Sequence, residues 1–102
     1  MARFTFRAAA ADEVAEAYAW YEDEEPGLGE RFLHAVADAA GRAAAEPALY
    51  PVVRGDVRRI LVGPFPYGLF YRVLREQVVV VACYHLHRDP RGWHGRRYEQ
   101  PG

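Results

Sequence analysis

The sequence predicts an α+β domain in which a helical hairpin packs on an antiparallel sheet. Three observations support this fold class. Apolar residues recur every three or four positions from residue 9 to 46, whereas the repeat becomes two residues from 57 to 84. The chain has 102 residues, 51% of them hydrophobic, which is enough for one modest core. We therefore expect a single domain over residues 1–102 with the order β-α-α-β-β-β.

The first strand is predicted at residues 4–6, where Phe4 and Phe6 alternate with a polar residue. A helix follows from about residue 9, because three apolar residues stand at positions i, i+4 and i+7 on one helical face: Val14, Tyr18 and Tyr21. The sequence Glu25-Pro26-Gly27 ends this helix.

The second helix is predicted to hold Pro26 in its first turn and to end before Pro47. Its apolar residues repeat every three or four positions at Leu28, Phe32, Val36, Ala39 and Ala43. The acidic run 22–25 is unfavourable at the end of the first helix, where the dipole is negative, but it favours the start of the second.

Three strands are predicted in the second half of the chain. Residues 48–56 contain Pro51 and Gly55 and read as a loop. Alternating apolar residues then predict strands at 57–62, 65–74 and 77–84, and the short connections make them an antiparallel meander. The remaining residues form a polar, arginine-rich end, with a C-terminal tail from about 88 to 102.

Composition excludes several classes of protein. The longest uninterrupted apolar run, residues 78–83, is far too short to span a bilayer, and the N-terminus has no apolar segment of the secretory type. The single cysteine, Cys83, lies in a valine-rich strand and is expected to be a buried hydrophobic residue. We expect a protein of the reducing cytoplasm.

The net charge of −1 conceals an uneven distribution. Residues 1–46 contain ten acidic and four basic side chains, whereas residues 47–102 contain four acidic and nine basic ones. All of the basic residues are arginine. The C-terminal half therefore predicts a basic surface that suits phosphates or the acidic side chains of a partner.

Few motifs of known catalytic chemistry are present. The sequence has no phosphate-binding loop, no dinucleotide fingerprint and no nucleophile elbow. His85 and His87, with Asp89 and His94 nearby, resemble a set of metal ligands, but no second ligand pair supports them. We therefore predict neither a metal nor a cofactor.

The arginines are the more informative set: Arg54, Arg58, Arg59, Arg72, Arg88, Arg91, Arg96 and Arg97. Together with interleaved tyrosines and Trp93, they suit RNA binding through phosphate contacts and stacking. They suit an acidic protein partner equally well. Any one of them, taken alone, is also consistent with a solvent-exposed arginine that pairs with a nearby Asp or Glu. Neighbours Arg58 and Arg59 must point to opposite faces of their strand.

Several segments, taken in order, resemble the RelE/ParE family of bacterial toxins from type II toxin–antitoxin systems. They are Trp20-Tyr21-Glu22, residues 26–32, Tyr50-Pro51, Val57-Arg58-Arg59, Phe65-Pro66-Tyr67 and residues 85–93. The resemblance covers nearly the whole chain and implies the small RelE/ParE fold. It also implies a cognate antitoxin, whose extended segment would wrap the toxin.

Function divides within that family. RelE-like members cut mRNA on the ribosome, whereas ParE-like members are associated with poisoning DNA gyrase. Where a RelE-like nuclease would offer a C-terminal Tyr, this chain offers Trp93, which cannot titrate. The resemblance therefore favours a ParE-like toxin that is not a nuclease, and three readings stay open. The second is a ribosome-dependent endoribonuclease, and the third is a non-toxic member that acts with its antitoxin in transcriptional autoregulation.

Each reading assigns residues. For the toxin that binds a target or an antitoxin, the candidate contacts are Arg58, Arg59, Arg72, Arg88, Arg91 and Trp93. For the nuclease, His85 or His87 would transfer protons while Arg54, Arg59 and Arg88 hold the phosphate. In neither case is a metal expected.

Overall fold

The computed structural model describes residues 3–87, and it confirms the predicted α+β architecture of two helices on one sheet. Helix α1 is Ala8–Glu24 and helix α2 is Leu28–Ala45. The strands are β1, Phe4–Phe6; β2, Val52–Arg54; β3, Val57–Leu61; β4, Tyr67–Leu74; and β5, Gln77–His85. A short 3₁₀ turn, Pro47–Leu49, follows α2.

The sheet has the order β1-β5-β4-β3-β2 and is mixed rather than wholly antiparallel. Strands β3, β4 and β5 form the predicted antiparallel meander. Strand β1 joins β5 in parallel, with Phe4 opposite Val78 and Phe6 opposite Val80. The antiparallel prediction fails at this edge because β1 is separated from β5 by the helices and three strands, so no short turn fixes its direction.

Two local predictions are corrected by the structure. The segment 48–56 is not a loop throughout, because β2 pairs with the first part of β3. This strand has three residues between Pro51 and Gly55, too few for a visible alternation. Pro26 lies outside α2, which begins at Leu28 after Gly27 adopts a left-handed φ of 92°.

The acidic run does support the start of α2, as expected. One carboxylate oxygen of Glu22 accepts the backbone N–H of Gly27, and the other accepts that of Gly29, both at 3.0 Å. Gly29 lies so close to α1 that a Cβ there would stand 2.8 Å from two ring carbons of Tyr18. The hairpin therefore depends on a small residue at this position and on a carboxylate from the preceding helix.

The main core lies between the helices and one face of the sheet, which we call the helix-facing face. It includes Phe32, Val36, Leu69 and Tyr71, all at most 5% exposed. Cys83 is buried there as predicted. A second, smaller cluster, Val57, Phe70, Val81 and Ala82, lies on the opposite side, the open face. Among the described residues, no helix is long and apolar enough to cross a membrane.

Candidate partner-binding surfaces

Arg58 points to the helix-facing face, and one nitrogen of its guanidinium bonds to the backbone there. It lies opposite Tyr71, a residue of the main core. Its Nη1 donates a hydrogen bond to the carbonyl oxygen of Tyr50 at 2.6 Å and approaches that of Ala48 at 3.4 Å. The guanidinium therefore helps to fix the segment between α2 and β2, and its predicted contact with a partner stays a prediction.

Tyr71 holds the same segment from the next strand. Its hydroxyl donates to the carbonyl oxygen of Pro47 at 2.7 Å, and the residue is fully buried. Burial raises the pKa of the Tyr71 phenol, while the nearby charge of Arg58 lowers it and Tyr50 raises it. The phenol therefore stays protonated and serves as a hydrogen-bond donor, not as a base.

Arg59 and Arg72 lie on the open face, because Arg59 pairs with Phe70 and Arg72 pairs with Val79. Arg72 forms an ion pair with Asp56, with Nε 3.0 Å from Oδ1 and Nη2 3.2 Å from Oδ2. Arg58 and Arg59, which are adjacent in β3, therefore point to opposite faces of the sheet, because side chains alternate along a strand.

The Arg59 side chain is half-buried, and its surroundings fix its stem. A Cβ on Gly68 would stand 3.2 Å from Cγ and Cδ of Arg59 and from a methyl carbon of Leu86. The glycine therefore makes room for the stem. The Arg59 Nε is buried and has no hydrogen-bond partner within the part of the chain that the structure describes.

His85 and His87 lie at the end of β5 and are linked to each other. His85 pairs with Tyr67, and their ring centroids are 5.1 Å apart. Its Nδ1 accepts the backbone N–H of His87 at 3.1 Å. Because Nδ1 is an acceptor, a neutral His85 would carry its proton on Nε2. The His85 ring lies on the helix-facing face with Tyr67, whose ring belongs to the main core.

Three of the candidate nuclease residues, Arg54, Arg59 and His85, lie apart from one another. Arg54 pairs with Val57 at one end of the sheet, whereas His85 ends β5 at the other, about 20 Å away along the strands. Arg59 and His85 lie on opposite faces. Residues 3–87 contain no group of three potential metal ligands. The other candidates, Arg88, Arg91 and Trp93, lie outside the described residues, as do Asp89 and His94.

Two hollows lie where α2 faces residues 60–65, and we call them together the α2 groove. One hollow of about 370 Å³ is lined by Leu28, Arg31, Ala35, Pro64 and Phe65. A second, of about 390 Å³, lies beyond Gly63 and is lined by Arg42, Tyr50, Pro51, Arg59, Ile60 and Leu61. The groove therefore combines apolar walls with arginines, the composition expected of a surface that binds an acidic, apolar segment.

The second hollow also borders an open edge of the sheet. Strand β2 covers only the start of β3, and the last bond on this side runs from the Arg59 N–H to the Pro51 carbonyl at 3.1 Å. On the side of β3 that faces away from β4, no strand within residues 3–87 pairs with Leu61, which is 51% exposed. An edge of this kind accepts an added strand from another chain.

Sequence reasoning missed one further polar contact. The Glu13 carboxylate on α1 accepts the backbone N–H of Cys83 at 2.8 Å, on the side of β5 where β1 has already ended. The two residues are 70 positions apart. No local sequence pattern predicts this hydrogen bond, because it depends on where α1 crosses the sheet.

Comparisons with known proteins point in one direction. A family model described as ParE toxin of type II toxin-antitoxin system, parDE, matches residues 4–90. A solved structure of the chromosomal ParDE TA system from P. aeruginosa contains a chain of similar fold, with a TM-score of 0.75 and 13% identity. The match covers 85% of this chain and 98% of that one. The search of curated proteins gave no match.

Proposed function

The chain belongs to the ParE toxin family of type II toxin–antitoxin systems, and on that premise we propose that it arrests growth by binding DNA gyrase. The action is that of a binding protein and not of a nuclease. A cognate antitoxin neutralises it in the cytoplasm. The observation that carries the proposal is that His85 and Arg59 lie on opposite faces of the sheet, and that His85 and Arg54 lie at opposite ends.

Cleavage of RNA by its own 2′-hydroxyl sets a geometric requirement. A base, an acid and a cation must all lie within hydrogen-bond reach of one phosphate. Arginine stabilises charge but does not transfer protons at neutral pH, since its pKa is above about 12. His85 and Arg59 are divided by the sheet, and the Tyr71 proton is committed to Pro47. This arrangement supports binding over catalysis.

The proposed antitoxin site is the α2 groove together with the open edge of β3. Apolar side chains of the antitoxin would occupy the two hollows, and its carboxylates would approach Arg31 and Arg42. These arginines now pair with Glu25 at 3.1 Å and with Asp38 at 3.0 Å, in pairs of which every side chain is about half exposed or more. Exposed pairs contribute little, so a partner exchanges them at low cost.

The target is tested by inducing this chain alone in bacteria and following DNA breaks and mRNA integrity in the same culture. We expect growth arrest, gyrase-dependent DNA breaks and intact mRNA. The control is the double variant His85→Ala/His87→Ala, which should arrest growth as the wild type does. Cleaved mRNA, with toxicity lost in the double variant, would instead establish the RelE-like endoribonuclease. Absence of any arrest would favour a non-toxic protein that acts through its antitoxin complex in autoregulation.

The antitoxin site is tested with one substitution on each side of the same helix. Ala35→Glu places a carboxylate in the first hollow, whereas Ala37→Glu places it on the exposed side of α2. We expect Ala35→Glu to lose antitoxin in co-purification and to stay toxic when both proteins are expressed. Ala37→Glu should bind antitoxin and be neutralised. Equal behaviour of the two variants would place the antitoxin elsewhere.

A further inference from the structure

Arg59 differs from the other arginines of the sheet. Arg58 binds backbone carbonyls, Arg72 pairs with Asp56, and Arg54 lies at the exposed end of the sheet. In the described part of the chain, the Nε of Arg59 is buried and has no such partner. Resting on the proposed function, we propose that Arg59 anchors the target protein by binding one of its carboxylates at the open face.

The side chain is prepared for this contact before any partner arrives. Its stem lies over Gly68 and beside Leu86, where a methyl group on the glycine would already crowd it. A side chain held in this way loses little conformational freedom on binding. The planar guanidinium then offers two parallel donors, the geometry that matches a carboxylate.

The buried Nε adds a reason for a partner to be bound. A buried donor without an acceptor is costly, and such groups in folded proteins nearly always find one. In the free protein the Arg59 Nε–H is enclosed and unsatisfied within the described residues. An incoming carboxylate binds the guanidinium in the position that its stem already holds, and it supplies acceptors that residues 3–87 do not offer to this group.

The surroundings favour a protein over a nucleic acid. Arg59 stands beside Phe70, Leu61 and Leu86, and the cluster of Val57, Val81 and Ala82 lies on the same face. Arg72, which lies on the same face, is already paired with Asp56. Nucleic acids are bound through several cations that track successive phosphates. One arginine among apolar side chains is instead typical of the centre of a protein–protein interface.

The position of Arg59 also links target binding to neutralisation. Arg59 lines the second hollow of the α2 groove. Its backbone N–H donates to the carbonyl oxygen of Pro51, which lines the same hollow. An antitoxin seated in the groove and on the β3 edge therefore stands against the residue that meets the target. The antitoxin and the target therefore compete for the surface around Arg59, so the antitoxin excludes the target without distorting the toxin.

The test compares three full-length variants with the wild type after induction in bacteria, by colony counts and DNA breaks. Arg59→Met keeps an apolar stem and removes the guanidinium. Arg59→Lys keeps a charge and removes the planar donor pair. Arg75→Met removes a charge from the exposed β4–β5 turn and is the matched control. We expect killing to fall about tenfold or more in Arg59→Met and less in Arg59→Lys, with no change in Arg75→Met.

Soluble protein and co-purified antitoxin are measured in the same cultures. Arg59→Met should remain soluble and should keep more of its antitoxin binding than of its toxicity. Wild-type killing by Arg59→Met would overturn the inference and leave the proposed function standing, and so would equal loss of both activities. If induction of the wild-type protein caused no killing and no DNA breaks, both the proposed function and the inference would be wrong. Cleaved mRNA that disappears in Arg59→Met would assign the arginine to RNA instead.

Discussion

Arg58 and Arg59 are adjacent and identical in chemistry, yet the two faces of the sheet give them different tasks. On the helix-facing face, Arg58 and Tyr71 donate to the carbonyls of Tyr50 and Pro47 and fasten the segment that follows α2. On the open face, Arg59 rests over Gly68 with its Nε unsatisfied among the described residues. On the helix-facing face these polar groups bond within the fold, whereas on the open face the Arg59 Nε has no acceptor among residues 3–87.

The largest expected effect is a difference in the free energy of unfolding between variants of Arg58 and of Arg59. Arg58→Met removes a charged donor and leaves the Tyr50 carbonyl without it, so the free energy of unfolding should fall by about 2 kcal/mol. Arg59→Met removes an Nε–H that has no acceptor within residues 3–87, so the change should be within about 0.5 kcal/mol. Urea denaturation of both variants measures the difference. Equal losses would show that the two faces do not divide the arginines in this way.

Tyr71→Phe sharpens the comparison within the helix-facing face. It removes only the hydroxyl that donates to Pro47, and we expect a loss of about 1 kcal/mol in the free energy of unfolding at pH 7. Arg58→Met/Tyr71→Phe should depart from additivity, because both side chains hold the same segment. A strictly additive double variant would mean that the carbonyls of Tyr50 and Pro47 are fastened independently.

The pH dependence of the same residue has a definite sign. Burial raises the pKa of Tyr71 above its ordinary value near 10, so the unfolded chain releases this proton first as pH rises. The stabilisation is complete below pH 10 and is lost as pH increases from there through the folded pKa. Wild-type stability should therefore fall more steeply above pH 10 than that of Tyr71→Phe. Parallel profiles would show that the phenol does not contribute.

The sequence was sufficient for the features that depend on periodicity. Apolar spacing predicted both helices and the β3-β4-β5 meander, and the alternation of β3 predicted that Arg58 and Arg59 diverge. It was insufficient where a contact joins distant segments. The parallel pairing of β1, the Glu13 bond to Cys83 and the bond from Tyr71 to Pro47 all depend on how the elements cross. The face occupied by each arginine required the register.

The smallest expected effect concerns the ion pair on the open face. Arg72 is 20% exposed and Asp56 is 63% exposed, so solvent screens much of their attraction. Asp56→Asn should lower the free energy of unfolding by about 0.5 kcal/mol, and the difference should shrink at 1 M salt. It also removes the negative charge that pairs with Arg72 on the same face of the sheet as Arg59. If Arg59 binds one carboxylate of the target at the open face, toxicity should stay unchanged in Asp56→Asn. Increased toxicity in Asp56→Asn would show that net positive charge, and not the geometry at Arg59, draws the target to this face.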